Sequence, residues 1–167
     1  MKRITSVLAT RKRSTLIALS IACLALLVDT ALATPPSGFT VTPLARGTIG
    51  RLDATHSGFE VERVRGSADI AIASVTVAPG GSSGWHHHPG VVLVAVQTGT
   101  VTHYDQRCNK EVYRAGDAFV ESTNRTGLVR NNSSVEAVLQ ATFLVPTSTA
   151  ATGLRIDDPQ PKNCSAE

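Results

Sequence analysis

The chain has no apolar segment long enough to cross a membrane as a helix. Such a helix needs about 20 apolar residues in a row, and the longest apolar segment, residues 16–28, is shorter. The sequence also has no Gly-x-Ser-x-Gly elbow for a nucleophilic serine and no glycine loop that could cradle phosphate. It has no sustained helical periodicity with capping residues. These absences argue against a membrane-spanning protein, a serine hydrolase, a phosphate-loop enzyme and a helical fold.

Residues 1–33 have the three parts of a secretory signal peptide. Five basic residues come first, the short apolar segment follows, and Ala-Leu-Ala at residues 31–33 forms a small-x-small cleavage site. We therefore expect an exported protein, secreted or periplasmic, without membrane contact after cleavage. A retained membrane anchor is the alternative interpretation, and the shortness of the apolar segment argues against it.

The predicted leader also accounts for the basic character of the chain. The whole sequence has 16 basic and 13 acidic residues, and the leader holds five of the basic residues but only one acidic residue, Asp29. Residues 34–167 therefore carry 11 basic and 12 acidic residues, a net charge of −1. We expect no nucleic-acid partner and no membrane-binding patch on the mature protein.

Cysteine is scarce, and its placement fits export. Cys23 would leave with the leader, so Cys108 and Cys164 remain as an even pair. In an oxidising compartment such a pair favours a disulfide. It would close a loop of 56 residues, which the chain-entropy model equates with about 4 kcal/mol, and would tie the tail of residues 147–167 to the domain. Two unpaired thiols are the alternative.

Residues 34–146 read as a series of short β-type segments separated by Gly, Asn, Asp and Pro. We expect an extended or mobile linker at residues 34–38, early strands at 39–45 and 59–64 in an N-terminal extension (34–66), and a barrel at 67–146. About eight to ten strands with almost no helix predict one all-β domain, a sandwich or a barrel.

Two strands carry more specific expectations. Ile70 and Ile72 share one face of the strand at residues 68–77, whereas Val75 and Val77 share the other, which predicts a bulge or burial on both sides. Residues 79–83 would form a loop. Residues 135–145 alternate cleanly, beginning with Val135, so one face of that strand should be buried.

The most informative stretch is GWHHHPG at residues 84–90. Side chains at i and i+2 leave the same face of a strand, so His86 and His88 should point together while His87 points away. Two such imidazoles can share an ion, each at about 2.0–2.1 Å from a metal such as zinc. The apolar residues 91–96 that follow predict a strand buried on both faces. A solvated loop is the alternative for the histidines.

This stretch resembles the first conserved motif of the cupin superfamily, in which a glycine and His-x-His precede a glutamate and a glycine. Residues 113–121 (YRAGDAFVE) and 130–131 (RN) resemble the flanks of the second motif. The chain is thus similar to small exported single-domain cupins, which often carry a cysteine pair like the one here. The resemblance implies a double-stranded β-helix, or jelly-roll barrel, with a ligand pocket in its mouth and edge-to-edge homodimers.

The resemblance also implies a metal site with an incomplete set of ligands. Metal-binding cupins hold an ion on two histidines, a glutamate and a further histidine. His86 and His88 match the first two, but Val92 stands at or next to the position of the glutamate and Gly127 near that of the last histidine. Only two of the four ligands are therefore present at their usual positions.

Four other residues are candidates for the site. Glu121 ends its strand near the loop that should carry the lost histidine, with a solvated rim carboxylate as the alternative. His103 follows the Gly99 turn and could replace a ligand unless it lies too deep. Gln97 is a weaker candidate for the pocket. Trp85 would pack on the barrel rim or form a wall of the ligand pocket.

Three functions follow as hypotheses. The first is a cupin that binds a divalent metal (zinc, iron, manganese, nickel or copper) through His86 and His88 and acts on a small molecule, as an oxygenase or isomerase if it is an enzyme. The second is a metal-free barrel that binds a small ligand. The third is a structural or interaction protein.

Overall fold

The structure, a computed structural model, describes residues 32–50, 55–56, 59–60 and 66–165. The predicted leader lies outside them except for its last two residues. The strands among the described residues are β1 Ser37–Ile49, β2 Thr55–His56, β3 Phe59–Glu60, β4 Ala68–Ser82, β5 His86–His87, β6 Val91–Thr98, β7 Thr100–Asp105, β8 Lys110–Arg114, β9 Ala118–Glu121, β10 Gly127–Arg130, β11 Ala137–Pro146 and β12 Ile156–Asp157. Helical structure in this part of the chain is limited to a 3-10 turn, Ala151–Gly153, and no helix there is long and apolar enough to span a bilayer.

Ten of the described strands form one antiparallel sheet that curls into a nearly closed barrel. The path runs β12-β5-β10-β4-β11-β6-β9, with β1 added on β4, β7 on β10, and β8 on β7. Neighbouring strands far apart in sequence, such as β4 and β11, give the topology of a double-stranded β-helix. The predicted all-β jelly-roll fold is confirmed.

The barrel core is built from alternating small and branched side chains. The buried face predicted for residues 135–145 is confirmed from Ala137, which is fully buried, to Val145. Val135 lies before β11 and is 64% exposed. The predicted change of phase in β4 is wrong. Ala71, Ala73, Val75 and Val77 are all buried on one face, so the two isoleucines face outward; small alanines point inward because they border a cavity.

Strand β6 is buried on one face only, contrary to the prediction. Val92, Val94 and Val96 point into the barrel, whereas Leu93 is 53% exposed and pairs with the equally exposed Val120 on β9. The reason is that an antiparallel barrel wall has one inner face and one outer face. Apolar residues on both sides of a strand therefore do not require burial on both sides.

The N-terminal strands differ from the prediction in extent. Strand β1 pairs along almost the whole of β4. The register shifts between Ser37 and Phe39, where the extra residues lie in β4, and between Pro43 and Ala45, where the extra residue lies in β1. Residues 37–49 are thus part of the main sheet. Strand β4 continues to Ser82, so the loop expected at residues 79–83 is not formed. Of the strand expected at 59–64, the described part is β3, which pairs with β2; residues 61–65 lie outside the described residues.

The C-terminal tail pairs with β5, and the N-terminal linker contacts Trp85, the residue before β5. Strand β12 pairs antiparallel with β5, and the predicted disulfide joins Cys108 to Cys164. Thr34, in the linker expected to be extended or mobile, donates its backbone N–H to the Asp158 carbonyl and accepts a hydrogen bond from the Trp85 N–H at 2.7 Å. The linker is therefore held in place by the tail and by the strand that carries the histidines.

Candidate metal centre

His86 and His88 lie side by side inside the barrel. Each is only 5% exposed, and their ring centroids are 4.8 Å apart with the planes nearly perpendicular. His87 faces the other way, where its Nδ1 lies 2.8 Å from the Asp158 carboxylate. The structure thus places two imidazoles, from β5 and from the residue that follows it, inside the barrel and the third on the opposite side, as the i, i+2 spacing of an extended chain requires.

Hydrogen bonds set the tautomer of both inner histidines. The Nδ1 of His86 lies 2.9 Å from the Gly84 carbonyl, and the Nδ1 of His88 contacts the Leu154 carbonyl. A carbonyl oxygen only accepts hydrogen bonds, so each Nδ1 carries the hydrogen. The Nε2 of each ring is therefore the atom that is free to accept a proton or a cation, an arrangement common for histidines that bind metals.

Glu121 completes a cluster with these two rings. One ligand atom from each of His86, His88 and Glu121 lies within 4.8 Å of the others; we call these three residues the histidine–glutamate cluster. The closest contact joins His88 Nε2 to Glu121 Oε2 at 3.1 Å. The Glu121 side chain is only 10% exposed, so it is not a solvated rim carboxylate.

The position of this carboxylate follows from strand pairing. Val92, which stands where the family pattern has glutamate, is buried in the core, and Glu121 on β9 is its direct partner across the β6–β9 pair. Directly opposed side chains in an antiparallel pair lie about 4.5–5.5 Å apart at Cβ. The neighbouring strand therefore supplies a carboxylate beside the place where Val92 offers none.

His103 lies beside Gly127, the position near which the family pattern has its last histidine, as a diagonal neighbour on the paired strand. A Cβ atom at Gly127 would lie 2.9 Å from His103 Nε2, because β7 and β10 are paired. The His103 ring is 3.9 Å from Glu121 Oε1 and packs against Phe119. It borders the histidine–glutamate cluster but is not one of its three members.

The protonation states of these groups suit a cation. Burial lowers the pKa of His86 to about 4, opposed by the charge of Glu121 and assisted by that of Arg155. Burial also lowers the pKa of His103. Burial alone would raise the pKa of Glu121, but the hydrogen bond with His88 and the charges of the nearby histidines lower it overall. At neutral pH the site thus has a charged carboxylate at Glu121 and neutral imidazoles at His86 and His103, the forms that bind metals.

Two cavities border the cluster in the described part of the chain. The larger, the apolar cavity, has a volume of about 520 Å³ and is lined by the cluster and by apolar side chains of β1, β4 and β11, together with Leu154 and Arg155 from the tail. The smaller, the polar cavity, has about 240 Å³ and is lined by the cluster with residues that include His103, Asp105 and Arg107. The cluster therefore stands between an apolar space and a polar one.

Trp85 and Gln97 were predicted to line the pocket, and the structure places both elsewhere. Trp85 precedes His86 and so faces the opposite side of the strand, where it is buried against Leu128 and Cys164. Gln97 accepts a hydrogen bond from the exposed Gln140 amide at 2.7 Å. Neither borders the two cavities described above.

The donor set fits a divalent transition metal. Two imidazole nitrogens and a carboxylate are ligands for zinc, iron, manganese, nickel or copper, and three protein ligands leave coordination positions open. The Nδ1 hydrogen bonds leave the Nε2 atom of each ring available to a cation, and the Glu121 carboxylate is charged and largely buried. Sequence reasoning did not find Arg155, because a residue in a polar tail with no apolar periodicity gives no sign that it borders the cavity.

Comparison with known proteins agrees with this geometry. The Cupin domain family, Cupin_2, matches residues 73–145. Germin-like protein 5-1 of Oryza sativa subsp. japonica is 35% identical over 112 residues, which cover 60% of this chain and 49% of that protein. The chain thus spans about half the length of this curated relative.

Two solved structures are similar to parts of the chain at low sequence identity. An oxalate oxidase in complex with glycolate is 24% identical, with 44% of this chain and 41% of that chain covered and a TM-score of 0.41. The cupin domain of Schizosaccharomyces pombe Cnp3 is 11% identical, with 66% and 67% covered and a TM-score of 0.48. The family match over residues 73–145 and the curled antiparallel sheet show that this chain contains a cupin domain.

Proposed function

We propose that this cupin binds a divalent metal ion through His86, His88 and Glu121. The supporting observation is the contact between His88 and Glu121. Because His88 Nδ1 donates to the Leu154 carbonyl, a neutral ring directs the lone pair of Nε2 at a carboxylate oxygen 3.1 Å away. Two acceptors at that distance repel each other unless a positive charge joins them, and a cation bound to both atoms supplies it.

His103 extends the proposed set of donors. With it, the site has three imidazoles and one carboxylate, the composition that the family pattern calls for, with two of the four groups supplied from neighbouring strands. We propose that His103 acts as the fourth ligand or orients Glu121, whose Oε1 lies 3.9 Å from its Nε2. Both roles use a neutral imidazole, and burial keeps the pKa of His103 below its usual value.

The proposed activity follows from the open coordination positions. Two histidines and one carboxylate with open positions are typical of non-haem iron oxygenases, and a bound ion would supply Lewis-acid or redox chemistry to a small molecule. Oxygenase or isomerase chemistry is the class that we propose. In either case the protein itself binds the substrate in the apolar cavity and excludes water from it with the apolar walls.

A metal-free barrel that binds a small ligand is the second candidate. The same 3.1 Å contact favours it, because a second proton on His88 would make an ion pair with Glu121 without any metal. The large apolar cavity suits a small organic ligand in either case. The two candidates therefore differ in whether a metal ion or a proton links His88 to Glu121.

Metal analysis separates them. The purified protein, loaded with iron, manganese, zinc, nickel or copper and then dialysed, is expected to retain about one equivalent of at least one metal. His86→Ala should lose it, and His87→Ala is the matched control, because the His87 ring faces Asp158 outside the cluster. Absence of any retained metal, or equal retention in His86→Ala, would support the metal-free candidate.

We also propose that the protein works outside the cytosol. A disulfide persists in oxidising compartments, and the chain has one between Cys108 and Cys164. Expression with the native N-terminal residues, followed by mass analysis of the exported protein, should give a chain that begins at Thr34. A protein that is found only in the cytosol with its first residues intact would contradict this proposal.

A further inference from the structure

Arg155 brings an unpaired guanidinium group to the apolar cavity. The residue immediately precedes β12 and borders that cavity. Its Nε donates to Asp157 Oδ1 at 2.6 Å. Its Nη1 and Nη2 atoms are buried, and neither finds a hydrogen-bond acceptor among the described residues. Buried polar groups are nearly always hydrogen-bonded, so a pair of free donors at a cavity suggests that a ligand is missing.

Arg46 is the natural comparison, because it borders the same cavity. Its Nε and Nη2 contact Asp69 at 2.8 Å and 2.7 Å, and Nη2 also donates to the Thr149 carbonyl. The guanidinium group of Arg46 is thus occupied by protein acceptors. Arg155 differs because the two nitrogens at the end of its fork are unoccupied.

We infer that the apolar cavity binds a small monocarboxylate with an apolar body, whose carboxylate is held by Arg155. The two Nη atoms of a guanidinium match the two oxygens of a carboxylate in a planar, bidentate pair. The cavity has about 520 Å³ and mainly apolar walls, which include Phe39, Leu139 and Phe143. The carboxylate would be the ligand class of the proposed metal site. Any reaction of that ligand rests on the proposed function.

The charges in the cavity favour one negative charge on the ligand. Glu121 borders the same cavity, and its acidic side chain is largely buried there. A second anionic group would be repelled by this carboxylate unless a metal ion bound it. A ligand with one carboxylate would pair with Arg155, and its apolar body would extend toward the cluster without placing a second negative charge beside Glu121.

The test compares a carboxylate with its neutral analogue. Binding of 4-phenylbutanoate and 4-phenylbutanamide is measured calorimetrically at pH 7, with the protein as purified and after dialysis against EDTA. We expect the carboxylate to bind about tenfold more tightly than the amide in both forms. Arg155→Gln should make the two affinities about equal, whereas Arg46→Gln, the matched control, should keep the preference.

Arg155→Lys, which keeps the charge but not the fork, should lose part of the preference, and thermal melting verifies that each variant is folded. Equal affinities in the unmodified protein, no binding of either compound, or a preference that survives Arg155→Gln would overturn the inference. An equal loss in Arg46→Gln would also overturn it, because general charge would then explain the preference. Failure of the metal proposal would be visible in the metal content alone, since the EDTA-treated protein is expected to keep the preference.

Discussion

Glu121 stands directly across from Val92 in the β6–β9 pair. In the family pattern a ligand carboxylate belongs at or next to Val92, so in this chain the carboxylate is one strand to the side. His103 and Gly127 are diagonal neighbours across the β7–β10 pair, in which Gly127 is directly opposite Asp105. The site is therefore assembled from residues that lie near the expected ligand positions in space, although they stand elsewhere in the sequence.

The first prediction concerns Gly127. In Gly127→Ala the added Cβ would lie 2.9 Å from His103 Nε2, so the ring must move, and overpacking of this kind costs roughly 1–3 kcal/mol. The same change in a His103→Ala background should cost much less. Urea denaturation of the four proteins in this double-mutant cycle gives the coupling free energy. Additive effects would mean that the two positions do not compete for space.

The second prediction concerns Glu121. Glu121→Gln keeps the shape of the side chain but removes the charged ligand, so the affinity for metal should fall by more than the roughly 10- to 100-fold that loss of an outer-shell partner costs. Metal titration by calorimetry measures it. Glu111→Gln is the control, since Glu111 is exposed and accepts a hydrogen bond from Tyr113. Equal affinities in the two variants would argue against Glu121 as a ligand.

The third prediction concerns the disulfide. Replacing Cys108 and Cys164 together with serine should lower the free energy of unfolding by about 2–5 kcal/mol, the usual cost of losing a native disulfide. The tail should also become sensitive to protease, because β12 would then be held mainly by its short pairing with β5. Denaturation and limited proteolysis measure the two effects. A tail that resists protease in the variant would show that the strand pairing alone holds it.

The fourth prediction concerns pH and Asp69. Hydrogen bonds from Thr48 and Arg46 hold the pKa of this carboxyl below the ordinary value of 3.8. The folded state therefore binds the proton less readily than the unfolded chain. The resulting stability is fully present well above pH 3.8 and is lost as the pH falls through the lowered pKa of the folded state.

Between pH 5 and pH 2 the melting temperature of Asp69→Asn should accordingly fall less than that of the unmodified protein. Asp117→Asn, in the turn between β8 and β9, serves for comparison. The Asp117 carboxylate accepts a hydrogen bond from the backbone N–H of Arg114. Melting curves at a series of pH values measure the slope. An unchanged slope in Asp69→Asn would contradict the prediction.

Local patterns in the sequence predicted the features that depend on one strand at a time. The alternation from Ala137 to Val145 gave the buried face of β11, and the i, i+2 spacing of His86 and His88 gave the paired rings. The number and placement of the cysteines favoured the disulfide. Each of these depends on strand periodicity or on composition, which a single sequence records directly.

Features that depend on strand register were harder to predict. Nothing local to Glu121 says that it faces Val92, since the two become neighbours only when β6 and β9 pair. A bulge or burial on both sides was predicted for residues 68–77, because hydrophobicity does not show that a cavity favours alanine on the inner face. Arg155 was missed because its position depends on how β12 docks on β5.

The docking of β12 divides the protein into two parts with separate tasks. Strands of the barrel supply the groups proposed to hold an ion, whereas residues 154–155 supply a section of the cavity wall from a tail fastened by Cys164. Natural selection could therefore exchange the tail, and with it part of the cavity wall, while the barrel and its histidine–glutamate cluster stayed the same. An engineer could retarget the protein by grafting a different C-terminal segment between β11 and Cys164.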